Sequence, residues 1–552
     1  MLRFFLPLMC GLAAGCLAGP LPGDDTEAGT GDSIDLNGGR PFDVNQQRLV
    51  TPLGDRFDTE IRVRKYERGD NFDDQVAALA KKHASAGSFG DWSWNVGGPV
   101  NGGPAVFSAT GVKTCADRLF VPVNRTGTEG STTAYNLIAF DNLYPKSSTG
   151  AACVEPSPVP TACSPSPAPS NHCPHILWQV SLDGALDRDS VTVTLDGLRV
   201  LVTTNTGRIY AITAATGAIA WSLNTRAATE LGTSSGATFV GTTPWIDYFT
   251  GYIYTAVSYS SNTKIRLYKL KDNGTSVSKV TADIAVGSGE GVQSGVIQYN
   301  GFIYVGTMKA GTPMTGGNLY RIIDASPMVV SSSPWPVHLT AKTQNSRGNL
   351  IDTDGPILGS PTIDAGNNLL FVDVNNVMWS VNLSSGASNS VEMGWTTGAD
   401  AAANNLPCYS SPFLDFQSPT LFIGHGKDQG VPTSQQNRVH RRTYQASGVF
   451  DTDNLDSRDV AGTDNPVTLI DPRSSPLAFR PTATGPLYLY IGDAGGFLNR
   501  WDYSTTSGFG TRTTFAASGK IESPIVVDYG AGSIYFGSNG NRIYQLDQQT
   551  LK

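Results

Sequence analysis

A small residue or proline followed by an apolar run recurs eight times between residues 103 and 526 of this 552-residue chain. The landmarks are Gly103-Pro104-Ala105-Val106, Ser190-Val191-Thr192-Val193, Thr243-Pro244-Trp245-Ile246, Ser294-Gly295-Val296-Ile297, Ser360-Pro361-Thr362-Ile363, Ser411-Pro412-Phe413-Leu414, Ser475-Pro476-Leu477-Ala478 and Ser523-Pro524-Ile525-Val526. The last six lie 51, 66, 51, 64 and 48 residues apart. A fixed internal period of this size outranks local propensity as evidence of fold. It matches one four-stranded blade with loops of varying length.

Each landmark is followed by a second apolar run, clearest at Arg199-Val200-Leu201-Val202, Phe302-Ile303-Tyr304-Val305-Gly306, Tyr488-Leu489-Tyr490-Ile491-Gly492 and Ile534-Tyr535-Phe536-Gly537. A third follows at Arg208-Ile209-Tyr210-Ala211-Ile212, Arg266-Leu267-Tyr268-Lys269-Leu270, Asn318-Leu319-Tyr320-Arg321-Ile322, Val377-Met378-Trp379-Ser380-Val381, Leu498-Asn499-Arg500-Trp501-Asp502 and Arg542-Ile543-Tyr544-Gln545-Leu546-Asp547. Most third runs alternate apolar and polar residues, the period of a strand with one face on a core. Only 16% of residues are charged, and glycine occurs 61 times, as a turn-rich all-β chain requires.

The segment Thr206-Gly207-Arg208-Ile209-Tyr210-Ala211-Ile212-Thr213-Ala214-Ala215-Thr216-Gly217-Ala218-Ile219-Ala220-Trp221 resembles the propeller repeat of the quinoprotein dehydrogenases. That repeat runs from a glycine turn through a strand and a Thr-Gly turn to a strand carrying tryptophan. Thr-Gly supplies the tight turn, and the tryptophan fills the wedge between blades. Gly537-Ser538-Asn539-Gly540-Asn541-Arg542-Ile543-Tyr544-Gln545-Leu546-Asp547 matches it as closely. The resemblance implies an all-β chain with a single propeller of about eight four-stranded blades over residues 91–552.

The last repeat stops at Lys552 after three strands, without its outer one, whereas Asp91-Trp92-Ser93-Trp94-Asn95-Val96 stands before the first landmark with no sheet of its own. This N-terminal strand is expected to complete the last blade, removing an exposed sheet edge and closing the ring.

Ahead of the ring, residues 1–16 read as an export signal, with one arginine, a short apolar core and then small residues. Leu12-Ala13-Ala14-Gly15-Cys16 resembles a lipoprotein cleavage box, which would leave Cys16 as a lipidated N-terminus. Residues 17–60 are Gly-, Asp- and Pro-rich and read as a flexible tether. Within the leader 61–90, residues 71–86 form a helix pattern, acidic first, with Lys81 and Lys82 late and Gly87 as its stop.

Of the remaining cysteines, Cys115, Cys153, Cys163 and Cys173 share one stretch and are expected to form two local disulfides of undetermined pairing, in keeping with an oxidising compartment. Cys408 is left over as a buried thiol. The Cys- and Pro-rich insertion at about 145–175 cannot supply a central strand, because proline removes a ladder donor. It reads as a pinned loop projecting from the first blade, a placement that often carries binding.

A quinone-dependent dehydrogenase needs calcium held by carboxylates and amides, a catalytic aspartate and often an adjacent cysteine pair beside the quinone. This chain has no Cys-Cys dipeptide, no Cys-x-x-Cys-His haem site and no recognisable constellation for the rest. No catalytic residue and no organic cofactor are therefore expected.

Calcium is the ion one loop would suit: Asp451, Asp453, Asp456 and Asp459 cluster in sequence as hard oxygen donors, without the glycine or distal glutamate of an EF-hand. His172-Cys173-Pro174-His175 has a zinc-like look, but with Cys173 in a disulfide it leaves two solvent-facing imidazoles.

The formal charge of −8, without a Lys/Arg cluster, excludes nucleic acid as a natural partner. The outline resembles the outer-membrane assembly lipoproteins that join a lipidated N-terminus to an eight-bladed propeller. The expected function is a noncatalytic binding or assembly scaffold, exported to the outer membrane, periplasm or cell surface, with other envelope or surface proteins as partners and membrane contact only through the lipid. The alternatives are a divergent quinone-dependent dehydrogenase and a polysaccharide-binding propeller.

Overall fold

The computed structural model describes residues 92–551 apart from internal stretches, the longer of which are 393–409, 426–437 and 460–473. The export signal, the tether, the helical leader and Cys408 lie outside the described residues.

Every landmark becomes the innermost strand of a separate antiparallel sheet. These strands are Ala105–Phe107, Thr192–Val193, Trp245–Asp247, Val296–Tyr299, Thr362–Asp364, Phe413–Asp415, Leu477–Phe479 and Val526–Asp528, and they define blades one to eight. Blade two shows the plan: Thr192–Val193 pairs with Arg199–Thr203, then Arg208–Thr213, then Ile219–Asn224. Blade four departs from it, since its outer position is divided between Val329–Val330 and Val337–His338, both paired to Asn318–Ile323. The third strand of blade six, Arg438–Thr443, was not legible in the sequence, because Arg-Val-His-Arg-Arg-Thr lacks apolar alternation.

Two features of the repeat explain how blades pack. The outer-strand tryptophan reaches into the next blade: Trp178 Nε1 donates to Ala214 O at 2.9 Å, and Trp221 Nε1 donates to the Asp272 carboxylate at 2.9 Å. The glycine ending the second strand permits close approach near the axis. A Cβ on Gly492 would lie 2.2 Å from Ile521 Cγ2, and one on Gly537 would lie 2.1 Å from Val100 Cγ1. Both neighbours lead into the following blade, so only a residue without Cβ lets the inner wedge close.

The ring closes through the N-terminal strand. Trp92–Asn95 lies antiparallel to Arg542–Asp547, with Trp92 opposite Gln545 and Asn95 opposite Arg542. Blade eight then gains a fifth strand that was not anticipated, Cys163–Pro165, on the outer edge of Trp92–Asn95. That strand comes from the Cys- and Pro-rich insertion. Its proline is tolerated because it sits on an edge.

Candidate functional site

The inner ends of the blades are where a propeller with these repeats would hold a cofactor, and here they are occupied by structural hydrogen bonds. The landmark hydroxyls link successive blades: Gly103 N–H donates to Ser190 Oγ at 3.0 Å, Ser190 N–H to Thr243 Oγ1 at 3.0 Å, Ser360 N–H to Ser411 Oγ at 2.6 Å and Ser411 N–H to Ser475 Oγ at 3.1 Å. Thr192 and Thr362 hydroxyls donate to the carbonyls of Pro244 and Pro412 in the next blade, at 2.6 and 2.5 Å. A serine or threonine before the inner strand thus satisfies a backbone group of its neighbour that would otherwise be buried without a partner.

At the other end of the inner strands, carboxylates cap turns. Asp247 accepts from Thr250 Oγ1 at 2.6 Å, Asp364 from Asn367 Nδ2 at 2.6 Å, Asp415 from Ser418 Oγ at 2.8 Å and Asp528 from Ala531 N–H at 3.1 Å. Asp493 lies in the turn between the second and third strands of blade seven, accepting from Phe497 N–H at 2.8 Å and Asn499 Nδ2 at 3.0 Å. Burial pushes this carboxyl up to about 6.

No group of three or more His, Cys, Asp or Glu side chains suited to a metal occurs among the described residues. Among the described residues, hydroxyls and carboxylates already engaged in turns and blade junctions do not fit a calcium–quinone pair.

Two members of the acidic sequence cluster lie on a strand. Asp456–Asp459 is the outer strand of blade six, set in register with Asp456 opposite Arg441 and Asp459 opposite Arg438. Asp451 lies before it, accepting from Thr443 Oγ1 at 2.9 Å and Gln445 Nε2 at 3.3 Å, while Asp453 is outside the described residues. The strand spreads Asp456 and Asp459 along about 10 Å of extended backbone, where a calcium loop would curl them round one point.

A buried polar cluster sits at the seam between blades eight and one. Tyr144, from the start of the insertion, donates its hydroxyl to the Asp528 carboxylate, and the Tyr535 hydroxyl donates to Tyr144 Oη at 3.2 Å. Asp117 accepts from Thr114 N–H at 3.0 Å and Thr114 Oγ1 at 2.7 Å, and the Lys113 ammonium lies 5.5 Å from the centre of the Tyr144 ring. The side chains of Lys113, Asp117, Tyr144, Asp528 and Tyr535 are buried.

Burial, reinforced by the neighbouring Asp528 charge, pushes Asp117 up to about 8. Burial likewise draws Lys113 down to about 8, against the pull of Asp528 and Asp117. Tyr144 and Tyr535 are held far above the ordinary phenol range for the same first reason. The cluster joins blades eight and one through the bond from Tyr144 to the Asp528 carboxylate.

The insertion builds the outer half of this seam. Its two disulfides are Cys115–Cys153 and Cys163–Cys173. The first ties it to the loop between the inner strands of blade one, and the second ties strand Cys163–Pro165 to the foot of blade one's outer strand His175–Val180.

His172 corrects the expectation of two solvent-facing imidazoles. It is fully buried, with Nε2 2.7 Å from Asn142 O and Nδ1 3.1 Å from Glu155 Oε1, whereas His175 is exposed beside Asp141. The two rings engage different partners and frame no shared metal position.

Sequence reasoning missed Lys113, Asp117, Tyr144, Asp528 and Tyr535. A partial signal was present, because an aspartate follows the landmark proline by three or four residues at Asp247, Asp364, Asp415 and Asp528.

No family model matches the sequence, and comparison with curated proteins gives no match. Solved structures similar to this chain include BamB from Moraxella catarrhalis, 15% identical with a TM-score of 0.37, covering 67% of this chain and 85% of that one. A quinohemoprotein alcohol dehydrogenase from Comamonas testosteroni is 12% identical with a TM-score of 0.45, covering 85% of this chain and 77% of that one. The Dos1 propeller is 9% identical with a TM-score of 0.47, covering 84% of this chain and 96% of that one. The likeness is one of fold alone.

Proposed function

We propose that this chain is a noncatalytic propeller exported to the bacterial envelope or surface, tethered through a lipidated Cys16 and residues 17–60, and acting as a scaffold for other envelope proteins. The observation that carries this reading is how the polar side chains of the inner ring are used. Ser190, Ser411 and Ser475 hold blade to blade, and Asp247, Asp364, Asp415 and Asp528 hold turns. These described side chains are engaged in building the ring, and a rigid ring that presents loops at both ends suits binding. The two disulfides support export, since such bonds persist in oxidising compartments.

The test is expression of the full chain with its own leader, followed by intact mass, absorption spectrum and metal content, with cross-linking in the envelope fraction. A diacylglycerol-sized increment on Cys16, no near-ultraviolet chromophore and cross-links to envelope proteins are the expected results. A bound quinone with stoichiometric calcium would make the chain a dehydrogenase. Retention on polysaccharide without protein cross-links would make it a carbohydrate-binding propeller.

A further inference from the structure

We propose that the insertion is an oxidation-dependent clasp for the ring: strand Cys163–Pro165 holds the N-terminal strand in blade eight only while Cys163 and Cys173 are joined. The inference goes beyond the scaffold reading and shares with it only export to an oxidising compartment, because it rests on the construction of the seam.

Trp92–Asn95 is held from both sides. Inside lies its ladder with Arg542–Asp547, and outside lies Cys163–Pro165, with Ser93 opposite Ser164 and Trp94 opposite Cys163. Asn95 N–H donates to Ala162 O at 2.8 Å, continuing the outer pairing. One guanidinium staples all three strands, since Arg542 Nη1 donates to Ser93 Oγ at 2.9 Å and to Ser164 Oγ at 3.1 Å. Trp92 Nε1 donates to Leu143 O, just ahead of the insertion, at 3.1 Å, and Trp94 packs edge-on against Phe140 of blade one at 5.2 Å between ring centres. Trp92, Trp94, Cys163 and Cys173 belong to one buried cluster spanning both blades.

A three-residue edge segment with proline at its end cannot hold itself in place by pairing alone. Its anchor is the disulfide to Cys173, which precedes blade one's outer strand by two residues. Break that bond, and the outer rail of the N-terminal strand loses its covalent tie to blade one. The four-residue inner ladder then has to carry ring closure with its far side open to water.

Closing the clasp is a two-electron exchange with a disulfide oxidant of the export compartment. The thiolate of one cysteine attacks the oxidant's disulfide, forming a mixed disulfide and expelling one oxidant thiolate. The second cysteine thiolate then displaces the other oxidant sulfur. One S–S bond forms in the chain and one breaks in the oxidant, which leaves as a dithiol carrying the two electrons and both protons. Cys163 and Cys173 are buried once joined, so the closed clasp is shielded from attack.

The experiment is hydrogen exchange by mass spectrometry on the full mature chain, comparing the intact protein with a Cys163→Ser/Cys173→Ser variant and a Cys115→Ser/Cys153→Ser variant. Exchange at 92–95 and 542–547 is expected to rise roughly a hundredfold in the first variant. It should stay within a few-fold of the intact chain in the second, and in both the inner strands of blades four and five should be unchanged. If the first variant does not fold, the Cys115→Ser/Cys153→Ser variant refolded with and without reductant isolates the Cys163–Cys173 bond and gives the same comparison. Unchanged protection at 92–95, an equal rise in both variants or a uniform rise across all blades would each overturn the clasp.

Discussion

Replacing Tyr144 with phenylalanine removes one oxygen from the seam and leaves the packing ring in place. That oxygen donates to the Asp528 carboxylate and accepts from Tyr535 Oη at 3.2 Å, with all three side chains buried. Asp528 keeps the Ala531 N–H at 3.1 Å, so the loss is one charge-assisted bond plus the acceptor of the Tyr535 hydroxyl. A bond of this kind contributes about 1.5–3 kcal/mol.

Tyr444→Phe is a matched control. It removes an equivalent bond of 2.7 Å to Asp364, which joins blades six and five away from the seam. Urea unfolding should show a similar total cost for the two variants. Hydrogen exchange should separate them: Tyr144→Phe raises exchange at 92–95 and 542–547, and Tyr444→Phe raises it at 362–364 with the seam unmoved. A cost below about 0.5 kcal/mol for Tyr144→Phe, or identical exchange patterns, would show that the cluster does not join the ring ends.

Three further outcomes follow from the same structure. Gly492→Ala should cost about 1–3 kcal/mol in urea unfolding, because its Cβ falls 2.2 Å from Ile521 Cγ2 and 3.1 Å from Ile521 O. Ser411→Ala should cost about 1 kcal/mol by losing the hydroxyl that accepts from Ser360 N–H at 2.6 Å, without altering the blade count seen by scattering or circular dichroism.

The seam should also titrate. With Asp117 raised from 3.8 to about 8, the folded chain holds a proton that the unfolded chain releases, so stability falls as pH climbs through that window. With Lys113 lowered from 10.5 to about 8, the folded chain gives up a proton that the unfolded chain keeps, so stability recovers above pH 8. The resulting minimum near pH 8 should show in thermal melts, and Asp117→Asn should flatten its acid side.

The amino-acid order by itself determined the blade count and the closure. Landmarks such as Ser411-Pro412 and second runs ending in glycine repeat because every junction poses the same packing problem, and Trp92 and Trp94 stand before the first blade where the last one lacks an outer strand. Strand alternation and turn chemistry are local, so they can be read along the chain.

Contacts between distant residues left weaker traces. Tyr144 and Asp528 are 384 positions apart, and only the closed ring brings them into one buried cluster. Cys163 could have paired with any of three partners, and proline density around it spoke against a strand until Trp92–Asn95 offered an edge to lie on. His172 carried the composition of a surface loop and became buried because the insertion folds back over blade one. Burial, pairing and protonation at the seam depend on which surfaces meet when the two chain ends close the ring, a property of the tertiary structure that no local pattern records.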